Sequence, residues 1–167
     1  MILGEKKLLD SLGKLSQTDL YGAVAKGIKT VQEEAKAGCP TNHGELRESI
    51  YTSIENSEGT VRGICYTNKS YAAYVEFGTG PVGQENHEGT APDTDYAYGQ
   101  TGWLIPQYAM SQKEAEKYGF KIIRNKKGEI IGYATNGQAA HPYIYPALKN
   151  NEQEIERIFE EAVKKKI

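Results

Sequence analysis

The chain has 167 residues, of which 38% are hydrophobic and 25% charged, and its formal net charge is −2. That is long enough for one hydrophobic core, and the near-zero charge gives no general electrostatic reason to bind nucleic acid. No stretch approaches the roughly 18 consecutive apolar residues of a membrane span, and the first seven residues, Met1 to Lys7, lack the apolar run of a signal peptide.

Two cysteines, Cys39 and Cys65, do not make a disulfide framework, and no Cys-x-x-Cys occurs. They fit a reducing compartment in which thiols stay free. The expected setting is the cytoplasm, or a particle assembled there, without a membrane. Charge is unevenly spread. Between Tyr71 and Gln112 there is no Lys or Arg, while Glu76, Glu85, Glu88, Asp93 and Asp95 all fall in that span. An acidic surface of this kind meets a partner or opposes aggregation.

In chain order, Leu8, Leu9, Leu12 and Leu15 form a short apolar stripe interrupted by Gly13. Ser16 with Asp19 resembles a capping box. A helix is predicted over 19–36, with Leu20, Ala23, Val24, Gly27, Ile28, Val31 and Ala35 at helical spacing and Gly38 and Pro40 ending it. Its other faces, with Lys26, Lys29, Gln32, Glu33 and Lys36, read as solvated. Pro40, Asn42 and Gly44 punctuate a loop. Leu46–Glu55 then reads as a strand, Asn56–Gly59 as a turn and Thr60–Thr67 as the returning strand of an antiparallel hairpin.

The segment Ser70–Gly80 organises the middle of the chain. Tyr71, Tyr74 and Val75 lie at i, i+3 and i+4 with Gly78 behind them, which predicts a short helix with a left-handed C-terminal cap. Val75 and Phe77 alternating about Glu76 leave a short buried strand as the alternative. The tyrosines and Phe77 are expected to hold the core. Glu76 is expected to pair with a backbone amide or a basic residue, Arg47 first. Residues 79–102 hold Gly80, Gly83, Gly89, Gly99 and Gly102 beside Pro81 and Pro92, and read as a long loop. Loops of that length in a compact domain are functional or disordered. Tyr96, Tyr98 and Trp103 at its end are candidates to anchor it at an assembly interface.

Trp103–Pro106 reads as a strand, and Ser111-Gln112-Lys113-Glu114 caps a helix that Gly119 ends. Phe120–Arg124 and Glu129–Thr135 read as a second hairpin around Asn125–Gly128. Pro146 opens a final helix with Leu148, Ile155, Ile158, Phe159, Ala162 and Val163 on one face and Lys164–Lys166 at its negative end. The expected class is therefore α+β, a single domain over 1–167. An antiparallel sheet of two hairpins is expected to pack against the N-terminal and C-terminal helices, with 79–102 as a Gly-rich insertion loop.

Catalytic patterns are missing. Cys39 and His43 lie four apart, but Pro40 and Gly44 prevent the helix that would align them, and no spacing recruits His87, His141 or Cys65 as further ligands. No nucleophile elbow, phosphate-binding loop or dinucleotide fingerprint occurs. Arg124, Lys126 and Lys127 make a basic hairpin tip without an aromatic platform, which reads as a solvated turn. No catalytic, metal or cofactor-binding residue is assigned, and the protein is not expected to be an enzyme. The rival class is a small hydrolase or metal-dependent enzyme using Cys39, His43 and Glu76.

Three segments taken together carry a resemblance. The first is Ala35-Lys36 followed by Pro40 and then Gly44-Glu45-Leu46-Arg47-Glu48-Ser49-Ile50. The second is Tyr71-Ala72 followed by Tyr74-Val75-Glu76-Phe77-Gly78-Thr79. The third is Ala140, then Pro142-Tyr143-Ile144 and Pro146-Ala147-Leu148. In this order the chain resembles the head–tail joining and tail-completion family of tailed bacteriophages, the gp ten-like neck and minor-tail proteins of lambdoid phages. Tyr143 stands where Phe is more usual, and the insert from Pro81 to about Thr135 exceeds the minimal pattern.

The resemblance implies a structural role for Gly44, Leu46, Arg47, Ser49, Ile50, Tyr71, Ala72, Glu76, Phe77, Gly78, Thr79, Pro142, Pro146 and Ala147. It implies a virion protein without chemistry that forms a homo-oligomeric ring at the head–tail junction or tail terminus. A hexamer is expected, with twelve copies as the alternative. The implied neighbours are neck, connector and tail-tube proteins, with DNA passing through the ring without specific binding. Assembly would occur in the host bacterial cytoplasm. A non-virion assembly chaperone is a further alternative.

Overall fold

A computed structural model describes residues 17–41, 44–57 and 60–164. The leucine stripe before Ser16, the Ser16 cap and the hairpin tip at Glu58 and Gly59 lie outside the described residues. The elements in order are α1 (Gln17–Gly38), α2 (Glu45–Glu48), β1 (Ile50–Ser57), β2 (Thr60–Thr67), α3 (Ala72–Phe77) and α4 (Gly80–Glu85). They continue with β3 (Trp103–Pro106), a 3-10 turn (Gln107–Ala109), α5 (Gln112–Lys117), β4 (Lys121–Arg124), β5 (Ile130–Thr135), α6 (Ile144–Asn150) and α7 (Glu152–Lys164). Two compact units result. One comprises the chain up to Ala72 together with the chain from Pro142 onward, and the other is Ala73–His141.

In the first unit α1 is the central element. Ala23, Val24, Val31 and Ala35 are buried along it, as the three-and-four spacing requires, and it packs against the β1–β2 hairpin and against α6 and α7. The hairpin is in unbroken antiparallel register from Ile50↔Thr67 to Ser57↔Thr60. Because strand side chains alternate, Ile50, Thr52 and Ile54 share a face with Val61, Gly63 and Cys65. A Cβ on Gly63 would lie 3.0 Å from Ile28 Cβ and 3.0 Å from Val24 Cγ1, so this face lies directly on α1. On α1's other contact, a Cβ on Gly27 would sit 3.6 Å from the Ile155 side chain of α7.

Two expectations change here. The strand expected from Leu46 begins only at Ile50, because Gly44 adopts φ 83° and Glu45–Glu48 closes one helical turn. The short Leu-x-x-Ser-Ile run could be read with either period. Leu46 and Ile50 are both buried, and both periods place them inward. The final helix is two helices broken at Asn151, whose Nδ2 donates to the Ala147 carbonyl at 2.8 Å. That break moves Leu148 to the surface and puts Ala147 in the core. On α7, Arg157 bridges Glu154 and Glu161, and Lys164 reaches Glu160. These pairs are exposed and add little stability.

In the second unit β3, β5 and β4 form a three-stranded antiparallel sheet with β5 in the centre. The two hairpins therefore belong to separate sheets rather than to one. The second hairpin finds its third strand in Trp103–Pro106, a pairing that the hairpin pattern does not announce. The predicted capping box is present. Ser111 Oγ accepts from the Glu114 amide, the Glu114 carboxylate accepts from the Ser111 amide, and Gly119 at φ 70° ends α5. The stretch 79–102 is not wholly irregular, since α4 forms within it with Pro81 in its first turn.

Gly63→Val tests the contact between α1 and the hairpin. The added methyls have no room, and overpacking of this kind costs about 1–3 kcal/mol. Chemical denaturation is expected to show a lowered midpoint; an unchanged or raised midpoint would mean that the helix and hairpin are not in close contact.

Candidate assembly surfaces

The motif residues fall at junctions between elements. In the first motif, Ser49 is buried, its Oγ donates to the Leu46 carbonyl at 2.7 Å, and it lies 2.7 Å from Thr67 Oγ1 at the far end of the hairpin. Gln32 Nε2 of α1 donates to the Ile50 carbonyl at 2.8 Å. Gly44, Leu46, Ser49 and Ile50 thus turn the chain from α1 into β1, while Arg47 stays exposed. In the third motif Tyr143 and Ala147 are buried in the first unit. Pro142 precedes α6, and Pro146 sits in its first turn, where a missing N–H costs nothing.

The second motif forms the helix that its spacing suggests, but with a different face inward. Tyr71 and Tyr74 are 40% and 54% exposed, while Ala72 and Glu76 are buried. The expectation that both tyrosines hold the core is therefore corrected. In a six-residue helix the C-terminal carbonyls have no intrahelical partner and must find donors. Gln138 Nε2 donates to the Tyr74 carbonyl at 2.8 Å and the His141 amide to the Val75 carbonyl at 2.8 Å. The Tyr98 hydroxyl donates to the Phe77 carbonyl at 2.9 Å and the Tyr96 hydroxyl to the Gly78 carbonyl at 2.9 Å. Phe77 also stacks on Tyr96 at 4.9 Å, and Tyr96 meets Tyr98 edge-on at 5.0 Å.

Backbone crowding fixes the same place. Gly78 has φ 77°, and a Cβ there would fall 2.7 Å from both the Ala140 amide nitrogen and the Gln138 carbonyl oxygen. Thr79 and Gln138 exchange backbone hydrogen bonds at 2.9 and 3.1 Å. Only glycine fits a positive φ with backbone that close. The aromatic pair of the 79–102 stretch is thus bound to its own unit, a use that sequence reasoning missed. The available signal was Tyr96-x-Tyr98, which sends two hydroxyls the same way from extended chain. Trp103 remains 45% exposed at the start of β3.

Little here supports chemistry. Cys39 is buried, with Sγ 3.7 Å from the Pro40 carbonyl oxygen, and His43 lies outside the described residues. Burial pushes the Cys65 thiol above its ordinary pKa, with Lys36 opposing that shift, and a raised pKa disfavours the reactive thiolate. His87 Nδ1 is 2.7 Å from the Gln84 carbonyl oxygen and its ring lies against Tyr98. His141 is exposed. Among the described residues no group of three or more His, Cys, Asp or Glu could hold a metal ion, and no helix is long and apolar enough to cross a membrane.

Exposed aromatic and aliphatic surface is the more distinctive property. In the first unit Tyr51 and Tyr66 form a cross-strand pair with ring centroids 6.0 Å apart, on the hairpin face opposite α1. In the second unit Trp103, Leu104 and Tyr108 are exposed. Surfaces of this composition suit protein contacts.

Residues 6–78 match the family model HK97-gp10-like, described as "Bacteriophage HK97-gp10, putative tail-component". The matched stretch takes in the first motif, α1, the β1–β2 hairpin, α3 and the second motif as far as Gly78. No curated protein and no solved structure gives a significant match.

Tyr96→Phe and Tyr98→Phe each remove one donor from the carbonyls that end α3. Each is expected to lower stability by about 0.5–1.5 kcal/mol, read by thermal or denaturant unfolding; no loss in either variant would contradict the anchoring. Burial raises the pKa of both phenols, with Tyr74 and Tyr98 adding to the effect on Tyr96. A folded-state pKa above the unfolded one gives a contribution that is complete below about pH 10 and lost as pH rises through the raised value. Unfolding of the wild type should therefore steepen with pH above that point, and less so in the double Phe variant.

Proposed function

We propose that the protein is a structural component of a tailed-phage virion that forms a ring at the head–tail junction or tail terminus and takes part in tail completion and head–tail joining. The observation that carries this reading is the match of residues 6–78 to a phage tail-component family. The family's structural role agrees with the absence of catalytic patterns in the sequence. A closed ring needs a heterologous interface, with one surface of each copy meeting a different surface of the next. The exposed Tyr51–Tyr66 pair and the exposed Trp103 are suitable contact groups. We assign six copies to the ring, with twelve as the alternative. Its neighbours are connector, neck and tail-tube proteins, and DNA crosses it without sequence-specific contacts. Assembly takes place in the bacterial cytoplasm.

Mass spectrometry of purified virions tests the reading directly. The protein is expected at a fixed low copy number per particle. Absence from finished particles, with particle formation nevertheless requiring the protein, would replace a structural role with an assembly chaperone. A Cys39→Ala, His43→Ala double variant addresses the enzymatic alternative: it is expected to build particles normally, and a folded variant that fails to do so would favour chemistry.

A further inference from the structure

We infer that copies of this chain join through their β1–β2 hairpins, the outer edge of β1 in one copy pairing with the outer edge of β2 in the next to make one continuous antiparallel sheet. This rests on the ring reading above and names the surface that builds the ring.

Three observations carry it. First, among the described residues the sheet of the first unit has two strands, so each strand has one edge outside the sheet. Both strands are eight residues long and their register has no bulge. Neither contains proline. Natural proteins blunt edges with bulges, proline or cover, and a long regular edge is a template for another strand. Among the described residues, the only hydrogen bond from outside the hairpin to the backbone of either strand is Gln32 on the Ile50 carbonyl.

Second, the topology selects a ring over a dimer. Within each hairpin β1 and β2 run antiparallel. A copy related by rotation about an axis along the strands keeps its direction, so its β1 runs antiparallel to the neighbour's β2. The interface is heterologous and repeats, as ring closure requires. A two-fold pairing would instead join like strands, β1 to β1 or β2 to β2.

Third, the charges agree. Glu55 on β1 and Arg62 on β2 stand opposite each other in the hairpin register and are exposed on the face away from α1. Among the described residues neither makes an ion pair. The same rotation keeps residues at their level along the axis. It brings Glu55 of one copy beside Arg62 of the next and carries Tyr51 beside Tyr66. Opposite charges at facing strand positions attract and like charges there repel.

The test uses the full chain and measures assembled mass by native mass spectrometry or light scattering. Glu55→Arg gives a chain with two facing arginines, and Arg62→Glu one with two facing glutamates. Each alone is expected to need a roughly tenfold or higher protein concentration to assemble. An equimolar mixture should recover wild-type assembly, because alternating copies restore opposite charges at every interface although no hairpin regains its own pair. Rescue by mixing thus separates pairing between copies from damage within the fold, and circular dichroism of the single variants checks that each is folded.

Single variants that assemble like wild type, or a mixture that does not recover, would overturn the hairpin interface while leaving a wild-type ring intact. A wild-type protein that is monomeric both alone and in the particle would overturn the ring itself, and the interface with it.

Discussion

The close seating of α1 on one face of the β1–β2 hairpin is the constraint on which the first unit depends. Gly63 permits it, since any side chain there would meet Val24 and Ile28. With that face closed by the helix, Ile50 and Leu46 are buried beneath it and Ser49 can bridge to Thr67. An adjacent face of α1 takes the C-terminal helices, with Gly27 against Ile155. One helix therefore serves two layers. A two-stranded sheet is marginal by itself, and α1 is what stabilises it. On the hairpin face away from α1, Tyr51, Glu55, Arg62 and Tyr66 are exposed. That face and the two strand edges are the surfaces that the proposed assembly would use.

The second unit is organised differently. Its constraint is the set of carbonyls at the end of α3, satisfied by donors from Tyr96, Tyr98, Gln138 and His141. Gly78 lets the chain reverse against 138–140. A long polar stretch rich in glycine is thereby tied down by two phenols instead of by a large apolar core.

Elements with a strong period were legible in the residues. The spacing of Ala23, Val24, Val31 and Ala35 gave α1, the alternation around Gly63 gave the hairpin, and Ser111 with Glu114 gave α5. Where a segment was too short for its period to decide, tertiary context ruled. Leu46–Ile50 satisfies both a helical and a strand pattern, and Gly44 at positive φ settles it as a helical turn. Tyr71 and Tyr74 lie on one helix face, but spacing cannot say which face turns inward, and the small Ala72 goes in instead. α4 was hidden because Gly80 and Gly83 are poor helix formers. The single sheet became two because strand pairing across a distance, as between Trp103–Pro106 and β5, leaves no local mark. Of the candidate interface residues, Tyr96, Tyr98 and Trp103 stood out in the sequence as large apolar groups at a loop end. Nothing in their spacing showed that the two tyrosines hydrogen-bond within their own unit.

In the proposed ring the helix-backed hairpin is the building block. An electron cryomicroscopy map of the assembled protein, alone or in the particle, tests it most directly. The expected result is hairpins of adjacent copies at strand spacing, about 4.7–4.9 Å between neighbouring strands, in an unbroken sheet around the axis with α1 of every copy on one side. A ring whose hairpins are separated by helices, or a particle lacking this protein, would contradict it.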